Sequence, residues 1–382
     1  MRKHGLLLFS LLSILILMTV PYVPSIKAQE LTYEESDTKV IVHGKNFEAT
    51  ISKLGGVDEF YLGGSLAYSG FTIRVYGPGW SGGGYISEEG TLVSSKITKI
   101  EHGIRIETVN RWEDLSPMFF EWHTVTDVYE GGLIVMNVTI VTYEQSDYAG
   151  MCFQFSEPAD VYIGKQVSVY SVAGTFTNTT FPAEPKIGEK KGWVVASVTK
   201  ALMALVSGPG ANMFIAFTEP VDEIEVTDDR YWGGNTFRIR CWFYTAGKEP
   251  GTKCNIVAMM FAHNLGAEFN SKIFSILQGQ AKAYDYVRKV EPIAKSTSAL
   301  KYIEEAKAKL RSVVPVLGSG NADEALKLIN DAVQLAGKAY RLEAWRVGSL
   351  TVILPLIVVV IIAIWGIRKW RQARARALQS TA

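Results

Sequence analysis

The chain has 382 residues, 48% of them hydrophobic, 11% aromatic and 20% charged, with three cysteines and a formal net charge of +1. Its apolar and aromatic content excludes wholesale disorder, and so few cysteines exclude a disulfide-built miniprotein. The small net charge conceals an asymmetry: eight of the 39 bases sit at the two ends, leaving 31 against 38 acids between them, a net of −7. That acidic body repels phosphate, so no nucleic-acid partner is expected.

Residues 1–28 read as a secretory signal. Arg2, Lys3 and His4 form a positive start, Gly5 to Val20 is apolar, Pro21 and Pro24 break the helix, and Ala28 is a small residue before Gln29.

Residues 29–265 read as all-β, one large sandwich or two small ones, in an expected extracellular domain. Short runs rich in Val, Ile, Phe, Tyr and Thr recur between Gly, Asn, Asp and Pro, among them Lys39–Val42, Phe71–Tyr76, Met118–Val128 and Asn255–Phe261. Leu133–Val141 is apolar on both faces, which predicts a central strand covered on both sides. Two sequons, at Asn137 and Asn178, are candidate glycosylation sites for an exterior chain; Asn178 sits in the more turn-like, Thr-rich setting.

Period-two alternation sorts candidate functional side chains onto faces. In Phe119–Val128 it puts Glu121, His123 and Asp127 on one side, with Glu121 and His123 about 7 Å apart. These are candidate catalytic residues, Glu121 and His123 as an acid–base pair. Further on, Arg238, Arg240 and Trp242 share a face opposite Phe237, Ile239 and Cys241. Two glycine-rich loops, Tyr76–Tyr85 and Asp229–Asn235, carry Trp80, Tyr85, Tyr231 and Trp232. Guanidinium groups and aromatic rings on a sheet face suit a sugar: bidentate hydrogen bonds to hydroxyls and stacking against the ring. The same residues also fit a plainer role, as a solvated strand face and rings that cap the sandwich ends. Cys241 and Cys254 are candidates for a disulfide across neighbouring strands, with Cys152 buried; three reduced core cysteines is the alternative. No GxSxG, Walker A, HExxH, CxxC or EF-hand pattern occurs, and neither a cofactor nor a metal site is expected.

The run Phe47–Val57, with its Gly55-Gly56 turn, and the stretch Glu121–Glu144 with Gly131-Gly132 resemble the opening and the central hairpin of galactose-mutarotase-like sandwiches. The resemblance covers residues 30–155. It implies a large supersandwich that binds carbohydrate on a concave sheet face, sometimes as an epimerase or lyase domain. It assigns no catalytic residue here.

Residues 266–346 turn to Ala, Lys, Glu and Leu at helical spacing. Phe269, Ile273, Ile276/Leu277, Tyr284 and Val287 mark one helix, Leu300, Ile303, Ala306, Leu310 and Val313 a second, and Leu326, Ile329, Val333, Ala336 and Tyr340 a third. Pro292 and Gly318-Ser-Gly320 separate them, and Asn321 with Glu324 reads as a cap. A membrane-proximal bundle is expected, either a stalk that packs on itself or a surface for a protein partner.

Residues 347–367 hold 21 positions without a charge. That length matches the bilayer core, and a single transmembrane helix is expected. The basic tail 368–382 follows, which places it in the cytoplasm and the N-terminus outside, a type I topology at the plasma membrane. Three functions fit these observations: binding of extracellular carbohydrate or an envelope protein, a membrane-tethered carbohydrate-active enzyme using Glu121 and His123, and a structural subunit of a surface layer assembling through 267–346.

Overall fold

The computed structural model describes residues 31–80, 82–115, 118–143, 148–174, 176–243, 249–348, 359–365 and 367–369. The expected signal, Tyr244 and the greater part of the tail lie outside them, as do residues 349–358 of the expected span. Among the described residues no helix is long and apolar enough to cross a membrane.

Among the described residues seventeen strands form one connected antiparallel network. In chain order they are β1 (Thr32–Glu35), β2 (Lys39–His43), β3 (Phe47–Ser52), β4 (Gly56–Leu62), β5 (Ser65–Tyr76), β6 (Gly83–Tyr85), β7 (Thr91–Ile100), β8 (Gly103–Leu115), β9 (Met118–Tyr129), β10 (Ile134–Thr142), β11 (Gly150–Pro158), β12 (Gln166–Ser171), β13 (Phe176–Thr180), β14 (Val194–Ser207), β15 (Asn212–Asp228), β16 (Thr236–Trp242) and β17 (Lys253–His263).

Pairing divides this network into two layers. One runs β7-β8-β9-β10-β17-β15-β14-β12-β13. The other runs β1-β2-β3-β4-β5-β11-β16-β15-β14, with β6 beside β5. β14 and β15 belong to both. β15 pairs with β17 from Asn212 to Phe217 and with β16 from Glu223 to Asp228, on either side of Pro220. β14 shifts register between Ala201 and Met203 at the same level. A bulge bends and twists a strand, which lets the pair turn from one layer into the other.

The core lies between the layers. Ile104, Trp122, Met136, Val138 and Met260 from the first meet Phe71, Phe153, Phe155, Ile239 and Cys241 from the second in one buried cluster. Phe71 and Phe153 stack at 4.9 Å.

Three helices follow: α1 (Ala267–Val290), α2 (Thr297–Gly318) and α3 (Ala322–Gly348). Ser296 caps α2 by accepting from the Ala299 amide at 3.2 Å, and Asn321 caps α3 by accepting from Glu324 at 3.1 Å. The expected inward residues are buried or packed, except Leu300, which is 47% exposed. The bundle does not pack on itself alone. Ile273, Ile276, Leu277, Leu310 and Ile329 join Leu133, Val135, Met203, Leu205, Phe214 and Met259 in a second buried cluster. The helices therefore cover the outer face of the first layer. This also corrects the reading of β10: Ile134, Met136, Val138 and Ile140 face the sandwich core and Val135 faces the helices, but Asn137, Thr139 and Val141 run out beyond that cover, half-buried.

Candidate functional site

Among the described residues, the bundle α1–α3 packs on the first layer and leaves the outer face of the second uncovered; the one-turn helix Ile86–Glu89 lies beside β5 and β6. Register aligns the side chains of that face. Arg74 of β5 lies level with Cys152 of β11, Trp242 of β16 and Glu223 of β15; one row on come Thr72, Gln154, Arg240 and Glu225; then Ser156, Arg238 and Thr227. Trp80, Tyr85, Arg238, Arg240 and Trp242, scattered over more than 160 positions in the sequence, thus gather on one side.

Gln154 is the hub. It is fully buried, and all its hydrogen-bonding capacity is used. Its Oε1 accepts from Tyr76 Oη at 3.0 Å and Arg240 Nε at 3.2 Å; its Nε2 donates to Tyr85 Oη and Ser156 Oγ, both at 2.9 Å. Arg240 extends the network by donating to Thr227 Oγ1 at 3.1 Å and lies 3.6 Å from both Glu225 and Asp229. Arg238 meets Asp229 at 2.7 Å. Burial raises the Glu225 carboxyl against the opposing pull of Arg240 and the Trp242 indole N–H, and burial pushes the Tyr76 hydroxyl up to about 12.

Aromatic rings wall this polar floor. Trp80 sits edge-on to Trp242 at 5.5 Å, with Tyr76 5.3 Å from Trp242. Gly150 permits that packing, since a Cβ there would lie 3.0 Å from Trp242 and 3.2 Å from Trp80. Arg74 lies over the rings of Tyr85 and Tyr76 at 4.5 and 5.2 Å. Trp80 remains 54% exposed. Beside the network a cleft of ≈ 480 Å³ opens between Thr72, Tyr85, Ser156 and Glu88 on one side and Lys39 and Asp58 on the other. The face offers hydroxyl, guanidinium and carboxylate groups beside an exposed ring. The residues that sequence reasoning missed are Tyr76, Gln154, Thr227, Glu225 and Asp229. Their signal was polar residues interrupting apolar runs, as Gln154 does in Gly150–Phe155.

Tyr231 and Trp232 do not join this group. They pack with Trp193, each at 5.3 Å, on the far side of the turn that supplies Asp229. Arg230 pins that turn through Asp228 and the carbonyls of Pro182 and Ala183.

Glu121, His123 and Asp127 lie elsewhere, on the outer face of the first layer. Glu121 accepts from His123 at 2.7 Å, from Arg111 at 3.2 Å and from the Tyr143 hydroxyl at 3.2 Å, and His123 followed by Arg111 and Tyr143 holds its carboxyl below the usual range. Asp127 is bidentate to Arg105 at 2.7 and 2.8 Å. Both carboxylates are thus paired with basic side chains.

The expected Cys241–Cys254 bridge is not formed. β16 and β17 are not neighbours, because β15 lies between them: Cys241 faces Phe153 and Ile224, Cys254 faces Ile140, and all three cysteines are free. Asn178 is exposed on β13. Asn137 Oδ1 is buried without a hydrogen-bond partner, a poor position for a glycan.

No protein-family model matches the chain, and no curated protein matches it. Solved structures do, by shape. An α-N-acetylgalactosaminidase, NagBb from Bifidobacterium bifidum, in a complex with GalNAc, matches at 9% identity and TM-score 0.38, over 73% of this chain and 41% of that one. A GalM/aldose epimerase homologue from C. elegans matches at 7% identity and TM-score 0.38, over 62% of this chain and 100% of that one. A 4-alpha-glucanotransferase from Thermococcus litoralis matches at 10% identity and TM-score 0.36, over 60% and 39%. The chain thus spans less than half the length of the first and third. One of these shapes belongs to a GalM/aldose epimerase homologue, the group of sandwiches that residues 30–155 resemble in sequence pattern.

Proposed function

We propose that the chain is a single-pass surface protein whose sandwich binds a neutral carbohydrate on the outer face of its second layer. The carrying observation is the ordered polar floor around Gln154 and Arg240, walled by Trp80, Trp242, Tyr76 and Tyr85. The buried network holds the surface groups in place: a sugar presents C–H faces to the exposed Trp80 ring and hydroxyls to the partly exposed Arg238, and a few fixed polar groups beside an apolar wall are the usual form of a ligand site. The guanidinium groups of Arg238 and Arg240 are balanced by Asp229 and Glu225, which lowers the charge presented to a ligand.

The membrane part of the proposal is supported by the end of the chain. Residues 359–365 are helical, and all seven side chains of Val-Val-Ile-Ile-Ala-Ile-Trp are exposed. An apolar helix unburied by protein is accommodated by lipid. Lys369 lies over the Trp365 ring at 4.3 Å, a pairing suited to the interface.

The test is a glycan array probed with the detergent-solubilised full chain. Saturable binding to one glycan class that is lost in Trp80→Ala and in Arg238→Ala supports the proposal. Absence of saturable binding across the array contradicts it.

A further inference from the structure

On α3, Lys338, Arg341, Leu342 and Trp345 recur at helical spacing and form one stripe. With Tyr302 of α2 they line an open groove between the two helices. Trp345 is 74% exposed and Leu342 46%.

A buried residue fixes what lies beside this stripe. Glu343 is fully buried and accepts the backbone N–H groups of Lys295 and Ser296 at 3.2 and 2.9 Å. Arg346 donates to Glu343 and, through Nη2, to the Ile293 carbonyl at 2.9 Å. These bonds tie the α1–α2 turn to the last turns of α3. Ile293 and Lys295, both exposed, are thereby held at the same end of the bundle as Trp345. Lys295, Lys338 and Arg341 have no acidic partner among the described residues. The uncharged run begins at Val347, two positions past Trp345.

We propose that this end of the bundle seats in the headgroup layer of the membrane, with Trp345, Leu342 and Ile293 entering the interface and Lys295, Lys338 and Arg341 meeting lipid phosphate. The inference rests on the single-pass reading above. Two features select lipid as the occupant: the chain leaves for the bilayer at this end, and an indole beside aliphatic groups and unpaired cations complements a layer that is apolar beneath and anionic above. A single span leaves a domain free to tilt about its tether. A seat that includes the α1–α2 turn makes a second contact and fixes how the sandwich stands on the surface.

The test uses the full chain carrying Cys254→Ser, incorporated in nanodiscs of phosphatidylcholine with or without phosphatidylglycerol. An environment-sensitive fluorophore is attached at Ile293→Cys, at Leu342→Cys or, as a reference on the sandwich, at Ile187→Cys, which replaces a 70% exposed residue. Labels at 293 and 342 are expected to be quenched by shallow nitroxide lipids and protected several-fold from aqueous iodide relative to the label at 187. Phosphatidylglycerol strengthens that protection, and the triple variant Lys295→Gln, Lys338→Gln, Arg341→Gln removes the added effect. If the labels are as open to iodide as the reference while the chain remains in the discs, the seat is refuted and the single-pass reading stands. If they are protected in cells but open in discs, a protein covers the patch and the proposal fails. If the chain does not incorporate into discs at all, the single-pass reading falls with it.

Discussion

Arg238 and Arg240 sit two positions apart on β16 and have different roles. Arg240 is 7% exposed, and its removal leaves Asp229, Glu225 and the Gln154 carbonyl without their shared donor. Taking one partner from such a buried set costs roughly 3–5 kcal/mol, so Arg240→Met lowers stability in urea unfolding by that order. Arg238 is half-buried and reaches the open part of the face, so Arg238→Ala affects ligand affinity more than folding. A second residue-scale effect is set by Glu157, a buried carboxylate that accepts from the Ser69 N–H and hydroxyl. Burial raises it to about 7 against the hydrogen bonds of Ser69 and the pull of Lys165. Its folded pKa lies above its unfolded value, so the folded state binds more protons and the group costs stability as pH rises from about 4.5 to about 7. A shift of that size is about 3 kcal/mol at most. Glu157→Gln keeps an acceptor for Ser69 and removes the charge; it is expected to stabilise the chain at pH 8 and to change little at pH 4, measured by thermal unfolding at both. Glu343 works in the opposite sense: Arg346 and the Ser296 amide hold it at about 2, so its contribution is present above about 4.5 and is lost on acidification towards 2.

At the scale of elements, the contact between α1 and α3 depends on a close approach. A Cβ on Gly279 would lie 2.2 Å from Ile329 Cγ2. Intrinsic propensity favours alanine over glycine in a helix by about 1 kcal/mol, whereas overpacking a core costs about 1–3 kcal/mol. Packing prevails at this distance, so Gly279→Ala should lower the unfolding midpoint, and a raised midpoint would show that the helices can separate at no cost. The helices themselves were legible, because their apolar positions recur at the helical period and Pro292 and Gly318-Ser-Gly320 separate them. Their docking on the sheet was not. Its trace is that Met203, Leu205, Phe214 and Met259 keep their strands apolar on the side away from the sandwich core. The shared face of Arg238, Arg240 and Trp242 was legible for the same reason as the helices: alternation along one strand is a local property. The partners Gln154 and Asp229 were not, because sheet neighbours are set by long-range pairing that no local pattern encodes. The Cys241–Cys254 pairing failed on that same point, since β15 takes the place between two strands that are adjacent in sequence.

Over the whole molecule, the two faces of the sandwich are put to different uses. The first layer's outer face is covered by helices at one end and laced by Glu121, His123, Arg111, Asp127 and Arg105 beyond them. The second layer's outer face is left uncovered by α1–α3 and carries the polar network and its aromatic wall. The net charge of +1 thus resolves into basic ends and an acidic body of −7, with Arg238 and Arg240 neutralised locally by Asp229 and Glu225. That the second face is the ligand face is the central claim. Its most direct test is calorimetric titration of a bound glycan into the parent chain and into two double variants, Trp80→Ala with Arg238→Ala and Glu121→Gln with His123→Ala. The expected result is affinity lost by at least tenfold in the first and unchanged in the second. The reverse pattern, affinity lost only with Glu121 and His123, would contradict it.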